Sequence, residues 1–574
     1  MNPTPRPRVR PRPLPAQPRR RTLPSSPRAR ARRRGWSLAL IVVVAVLLAW
    51  GGFTVLGRAH NSGGLTASDG SGGETPAFPN ASTPDVTVGG TADGIKVATF
   101  LGGALRRSYG FGPAPSSLDL VWKSKLGSGQ TQRKSDNKLV WWAGSGWTGQ
   151  CTVVRDKGRD YLLIGGYDHN LHKIDALTGS VVWEYPFADV IKSTNTVIAN
   201  PRPTGDADRL IVVAGSRRGS AYSTGDPRIA PLRAVSFTTG KELWRLPVPK
   251  TVNYSQDVDS SPLLYQGTLY AAVEPGYVYA IDPFTTHKVG KHREPKVVRR
   301  SRQLFTAADA TAHPDIGGAN VAIEASPARI GNTLYIASGA GHVWGLRLPT
   351  LDVVWDFRTG SDMDGSSVVG DDGLLLQPIE KEYISRPGGV FGLDPTKAPA
   401  AAPRWYYPTE NRGISEWAGG VIGSVAVNDE SNRQGLYPRL AAFESVDGSL
   451  RVVARDGLTK TKTQGPGPGA AVKEPTLVFR SYIGAGISTP IIVGDALVAA
   501  GYDWKVHLYR ISYRPAAEGD TGALRSPSGA YWIVSVAETS AFKAGAPFES
   551  TPIVWGGRVY IGCRDGYLYC LGTS

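Results

Sequence analysis

One pattern recurs just before several of the chain's apolar runs: an acidic residue, two small residues and, in three of four cases, proline. The four are Asp259-Ser260-Ser261-Pro262, Glu324-Ala325-Ser326-Pro327, Glu549-Ser550-Thr551-Pro552 and, without the proline, Asp364-Gly365-Ser366-Ser367. An apolar run begins just after each. Carboxylates are hard oxygen ligands, so Asp259, Glu324, Asp364 and Glu549, if brought together, would hold a divalent cation such as calcium. They would equally draw a cationic ligand by focusing the field. The alternative is local: each carboxylate caps its own turn by accepting from backbone N–H groups. Asp257 and Asp362 stand two residues before members of the set and would enlarge an acidic mouth. Glu416, before Trp417, occupies a comparable place in its repeat but lacks the small residues and proline.

Other reactive patterns are missing from the sequence. There is no G-x-S-x-G elbow, no P-loop and no H-E-x-x-H. His169 and His172 are three apart in a strand-turn context, which does not give the shared ligand face of a helical zinc motif, so both are assigned structural or surface roles.

What must position the acids is a repeated meander of short strands. Residues 160–185, DYLLIGGYDHNLHKIDALTGSVVWEY, show its parts: an apolar run, a turn at 167–170, the alternating strand Leu171–Asp175, a Leu-Thr-Gly turn and a strand with Trp183. Such a unit cannot bury its faces alone and needs copies to stack against. The chain supplies them at 268–282, 333–357, 496–511 and 558–572, with weaker ones at 209–246, 374–407 and 439–456. The last repeat, RVYIGCRDGYLYCLG, ends without its Trp strand, whereas Leu118–Leu126 is an isolated strand carrying Trp122 before the first repeat. Pairing those two ends closes a circle and removes its free edges.

The 574 residues carry a formal charge of +17, but residues 1–35 hold twelve Arg and no acid, so the rest is only about +5. That locates the basic character in an Arg/Pro-rich tail with too few apolar residues for a core. Nucleic acid is not an expected partner. Residues 36–56, WSLALIVVVAVLLAWGGFTVL, are apolar throughout and long enough to span a bilayer. The tail before them then marks the cytoplasmic side. A cleaved signal peptide competes, with Gly57-Arg58-Ala59 as a loose cleavage site, but the run exceeds a usual signal core. Residues 57–94 read as a flexible linker, 95–117 as an ordered lead-in, and 118–574 as the repeat domain. Residues 410–413 and the run Thr459–Lys473 read as surface loops of the kind that build binding faces.

The segment A-x-D-x-x-T-G-x-x-x-W is matched by Lys173–Trp183 (KIDALTGSVVW) and Ala234–Trp244 (AVSFTTGKELW), and partly by Gly345–Trp355 (GLRLPTLDVVW). It resembles the repeat of the quinoprotein-type (PQQ-like) β-propellers, over roughly residues 118–574. The resemblance implies an all-β, eight-bladed β-propeller, with seven blades as the fallback because the fifth and sixth repeats are degraded. It also implies Trp residues that dock each blade on the next. It says little of function, since the fold serves PQQ dehydrogenases, the propeller lipoprotein of the outer-membrane β-barrel assembly machinery and other envelope proteins. Gly144–Gln150 (GSGWTGQ) resembles a motif of such propellers. The alcohol dehydrogenases of the family carry an adjacent Cys-Cys pair over the cofactor. Here Cys151, Cys563 and Cys570 are isolated, and no motif matches the family's calcium ligands and catalytic base, which argues against PQQ.

A two-residue Asp565-Gly566 turn would put Cys563 opposite Leu568 and Cys570 opposite Ile561, so those two would not pair. A bridge from Cys151 to Cys563 or to Cys570 would staple the ring in an oxidising compartment. The expectation is a propeller tethered to the cell membrane by one N-terminal helix, its basic end cytoplasmic and its blades extracytoplasmic. Its role would be that of a non-catalytic binding or scaffold protein for envelope proteins or a cell-wall component. The alternative is a metal-dependent or diverged PQQ-dependent enzyme working through the acidic funnel.

Overall fold

Eight antiparallel sheets follow one another along the chain, each one blade of a closed β-propeller. The computed structural model describes residues 93–573 apart from 134–137, 218–229, 252–254, 316–317 and 411–416. The basic tail, the apolar segment 36–56, nearly all of the linker and Glu416 lie outside the described residues. Among the described residues no helix is long and apolar enough to cross a membrane.

Blade 1 consists of Thr152–Asp156, Arg159–Gly165, Asn170–Asp175 and Val181–Pro186. Blades 2 to 7 start at Thr196, Leu263, Ala328, Val368, Ala426 and Ile491. Blade 8 is built from both ends of the domain: Ile553–Trp555, Arg558–Gly562 and Tyr567–Gly572 are completed by Asp119–Lys125. That pairing is antiparallel, with Trp122 opposite Cys570 and Lys125 opposite Tyr567. The degraded repeats are blades 5 and 6, both complete four-stranded sheets, so the ring has eight blades and not seven.

The repeat motif has a direct physical cause. Asp175 accepts the backbone N–H groups of Leu177 and Thr178 and the Thr178 hydroxyl, which shapes the turn. Gly179 then takes a positive φ of 74°, and a Cβ there would stand 2.7 Å from the Trp122 ring of blade 8. Gly240 of blade 2 meets Trp183 of blade 1 in the same way. Four of these Trp also donate the indole N–H to the neighbour: Trp122 to the Ala176 carbonyl, Trp183 to Phe237, Trp244 to Pro283 and Trp355 to Lys397. The Trp of one blade thus locks onto the Asp-turn-Gly corner of the next.

Two expectations need correcting. The run Thr459–Lys473 is not a loop throughout: Ser449–Thr463 and Val472–Tyr482 form one long hairpin of blade 6, because Thr459 to Thr463 alternates β-branched and charged residues as a strand does. The turn in blade 8 holds three residues, Arg564 to Gly566, closed by the Cys563 N–H donating to the Tyr567 carbonyl. Cys570 therefore pairs with Tyr560, and Gly562 with Leu568, one residue off the two-residue register.

The lead-in does not lie outside the ring. Gly94–Val97 adds an innermost fifth strand to blade 1, and Gly110–Phe111 pairs in parallel with Ile553–Trp555 of blade 8. Between them the segment visits the other blades. The Ala98 carbonyl accepts from Val197 of blade 2, Ala104 from Arg329 of blade 4 and Leu105 from Val369 of blade 5. Arg106, 0% exposed, donates to the carbonyls of Phe100, Ser261 and Pro327 and to the Thr99 hydroxyl. The Tyr109 hydroxyl joins Val425 and Val427 of blade 6, and Arg510 of blade 7 donates to the Pro115 carbonyl. Residues 94–115 are the hub of the wheel.

Candidate functional site

Just ahead of the innermost strand of every blade stands the same three-residue frame. Its third residue carries a hydroxyl or amide that ties neighbouring blades. The backbone N–H of Ser261 donates to Ser326 Oγ, Ser326 to Ser366, Ser366 to Ser424, Ser424 to Thr489 Oγ1, and Gln150 to Thr194 Oγ1. The middle residue is Gly, Ala or Ser throughout. The first residue is the variable one: Thr148, Lys192, Asp259, Glu324, Asp364, Ile422, Ile487 and Glu549 from blade 1 to blade 8. All four predicted acids thus hold equivalent places in one ring. The acidic arc covers blades 3 to 5, and an apolar arc covers blades 6 and 7.

The ring does not gather the four carboxylates on one point. Lys192 pairs with Asp259, which is fully buried, and its Nζ lies 3.2 Å from Glu324 Oε2. Glu274 joins these two acids, with one oxygen of each within 4.8 Å of the others. Glu549 turns away from them, 2.7 Å from Arg564 of its own blade and 2.7 Å from the hydroxyl of Tyr502 in blade 7. Asp257 pairs with Arg217 at 2.9 Å. These acids are matched by cations of the chain.

Asp364 belongs to a second trio. Oxygens of Asp362, Asp364 and Glu380 lie within 4.8 Å of one another. Asp362 is 8% exposed; Asn320 donates to its Oδ2 at 3.0 Å, and its Oδ1 accepts no hydrogen bond. Glu380 accepts from the Asp364 N–H at 3.3 Å. Among the described residues no Lys or Arg forms an ion pair with any of the three. Burial, then the nearby charges of Glu382 and Glu324, pushes the Asp362 carboxyl up to about 8. Burial also raises Asp364, with Glu324 and Asp362 adding to it, and raises Glu380 with Asp362 and Glu382. Asp364 keeps partial exposure, so the trio is reached from the funnel.

Glu274, Glu380 and Lys192 were not among the sequence-derived candidates. Glu274 directly follows the apolar strand Thr268–Val273 and Glu380 follows Leu375–Ile379, a signal that was available. Lys192-Ser193-Thr194 is the same frame with the charge reversed. Alongside Glu380, the chain of blade 6 bridges at Gly420, and Trp417 three residues earlier packs with Trp147 and Tyr502 on Ile422, Val446 and Ile487.

Three histidines are each held between two acids. His172 lies between Asp168 and Glu184 at 3.1 and 3.2 Å, His342 between Asp309 and Asp356 at 3.1 and 2.7 Å, and His507 between Asp503 and Glu538 at 2.9 Å each. All three cysteines are free thiols. Cys563 donates to the carbonyls of Ala546 and Pro547, whereas Cys151 and Cys570 share the core between blades 8 and 1. Of the two sequence-derived pairings, the packing is compatible with the one to Cys570.

Residues 119–372 match the family described as outer membrane protein assembly factor BamB. Their repeats are PQQ-like propeller repeats. No curated protein matches the chain. Among solved structures, BamB from Moraxella catarrhalis is 14% identical, with 79% of this chain and 100% of that one covered at a TM-score of 0.42. Quinohemoprotein alcohol dehydrogenase from Comamonas testosteroni is 13% identical, covering 83% and 81% at 0.49. The computationally designed Ika8 protein is 10% identical, covering 78% and 100% at 0.41.

Proposed function

We propose that this protein is a membrane-tethered, extracytoplasmic propeller that serves as a non-catalytic binding or scaffold protein of the cell envelope. The tether is residues 36–56 with the N-terminus cytoplasmic. The observation that carries the reading is three oversized hairpins. Tyr277–Val289 with His292–Arg300, Ser449–Thr463 with Val472–Tyr482, and Lys505–Ala516 with Tyr531–Lys543 run well beyond the other blades' strands, none of which exceeds seven residues. Those of blades 3 and 6 expose apolar side chains, Val297, Val298, Leu458 and Leu477, which a partner would cover. The blade 3 hairpin also exposes Lys288, Lys291, Arg293, Lys296, Arg299 and Arg300, which suits an acidic partner. The BamB-type repeats support a protein partner in envelope assembly, with a cell-wall component as the other candidate.

Photo-crosslinkers placed at Val298 and Leu458 in living cells, with exposed Val181 and Val354 as controls, test this. A discrete adduct with one envelope component from the hairpin positions alone is expected. Equal labelling from all four sites, or propeller protected from protease added outside the membrane, would refute the reading. A second reading is an enzyme that uses a divalent cation such as calcium in the funnel. It is favoured by the Asp362–Asp364–Glu380 oxygens lying within 4.8 Å. Metal analysis and unfolding with chelator separate the two.

A further inference from the structure

We propose that Asp362, Asp364 and Glu380, walled by Ile422 and Trp417, bind the ammonium group of an organic amine. The inference deepens the binding role just proposed and rests on it.

The chain itself contains the argument. Two carboxylate trios lie side by side in the ring, with Glu324 next to both. The first, Asp259–Glu274–Glu324, holds a primary ammonium, that of Lys192, delivered on a four-carbon stem from blade 2. The second repeats the arrangement with carboxyls from the same two places in the blade: the ring frame, Asp364, and the end of the second strand, Glu380. No Lys or Arg among the described residues enters it. Asp362, one of its two buried members, is more than nine-tenths buried and keeps Oδ1 without a hydrogen bond. A buried carboxylate oxygen left so is destabilising unless a donor arrives.

The surroundings decide between an ammonium and a metal ion. Calcium takes six to eight oxygens. Past Glu380 the ring turns apolar, with Ile422 and Ile487 in the ring positions and Trp417, Trp147 and Tyr502 packed on them. Glu380 bridges Gly420, three residues after Trp417 and two before Ile422, and Ile422 holds the ring position next to that of Asp364. An alkyl ammonium uses both halves: three N–H donors for the carboxylates, and an apolar stem for the Ile and Trp wall, where aromatic faces also favour a cation.

The test is titration calorimetry on the full chain in detergent at pH 7.5 with n-butylamine, a copy of the lysine side-chain end, and in parallel with calcium chloride. Saturable binding of one n-butylamine is expected. Asp362→Asn or Glu380→Gln should weaken it at least about ten-fold and Trp417→Ala about three-fold. Lys192→Ala empties the first trio and should raise the stoichiometry from one to two. No saturable heat, or amine binding indifferent to Asp362→Asn, would overturn the inference and leave the hairpin crosslinks of the scaffold role untouched. Calcium binding that Asp362→Asn abolishes while the amine stays inert would give the trio to the metal reading. Consumption of the amine would contradict the non-catalytic role as well.

Discussion

The hub and the funnel use the same innermost strands in opposite ways. At the hub a cation, Arg106, is buried completely and meets three carbonyls and a hydroxyl, so four of its five N–H donors are used. Burial lowers its pKa only to about 9, and it stays charged at neutral pH. In the funnel the acidic arc is only half matched: Lys192 serves Asp259 and Glu324, while Asp362 keeps an oxygen with no donor. A buried cation whose donors are met by its own chain marks structure; a buried carboxyl with an oxygen left over marks a place where something is meant to arrive.

The contrast can be broken at either end. Arg106→Met should have the largest effect, about 3–5 kcal/mol of lost stability by denaturant titration, because it strands buried acceptors in the hub and at the entries of blades 3 and 4. Lys192→Met should lower stability by about 2–4 kcal/mol at pH 8. That loss should shrink toward pH 5, where the freed carboxyls take up protons; a loss independent of pH would mean that Lys192 acts by packing alone. Trp183→Phe keeps the ring on Gly240 but drops the bond to Phe237, and about 1 kcal/mol is expected.

Much of this architecture is legible in the sequence because it repeats. The Asp-turn-Gly-Trp corner identifies the blades, the unpaired strand at 119–125 predicts closure, and the four acids fall at equivalent places in the ring. What the sequence hides is non-local and unrepeated. Nothing in Leu105-Arg106-Arg107 shows that Arg106 will bond residues 155 and 221 positions away. The fate of each acid also depends on its neighbours in space. Glu549 looks like Glu324 in sequence, yet Arg564 and Tyr502 draw it away, while Glu380 carries no motif and completes the trio. Residues 36–56, nearly all of the segment 57–94 and Glu416 lie outside the described residues.

The most direct test is the unfolding temperature of the full chain from pH 4 to pH 9, beside Asp362→Asn. Asp362 is held near 8 in the folded protein by burial and by Glu382 and Glu324, with Asp364 and Glu380 around it and Lys192 engaged with Asp259 and Glu324. An acid whose pKa is raised by folding stabilises most below its unfolded value and loses that contribution as pH climbs to the folded one. The account predicts that the wild type loses stability between about pH 4 and pH 8 relative to Asp362→Asn, which should be the more stable protein at pH 8 by at least about 1 kcal/mol. Parallel curves, or an Asp362→Asn protein that is weaker at pH 8, would show that the charge in the funnel is already compensated and contradict the account.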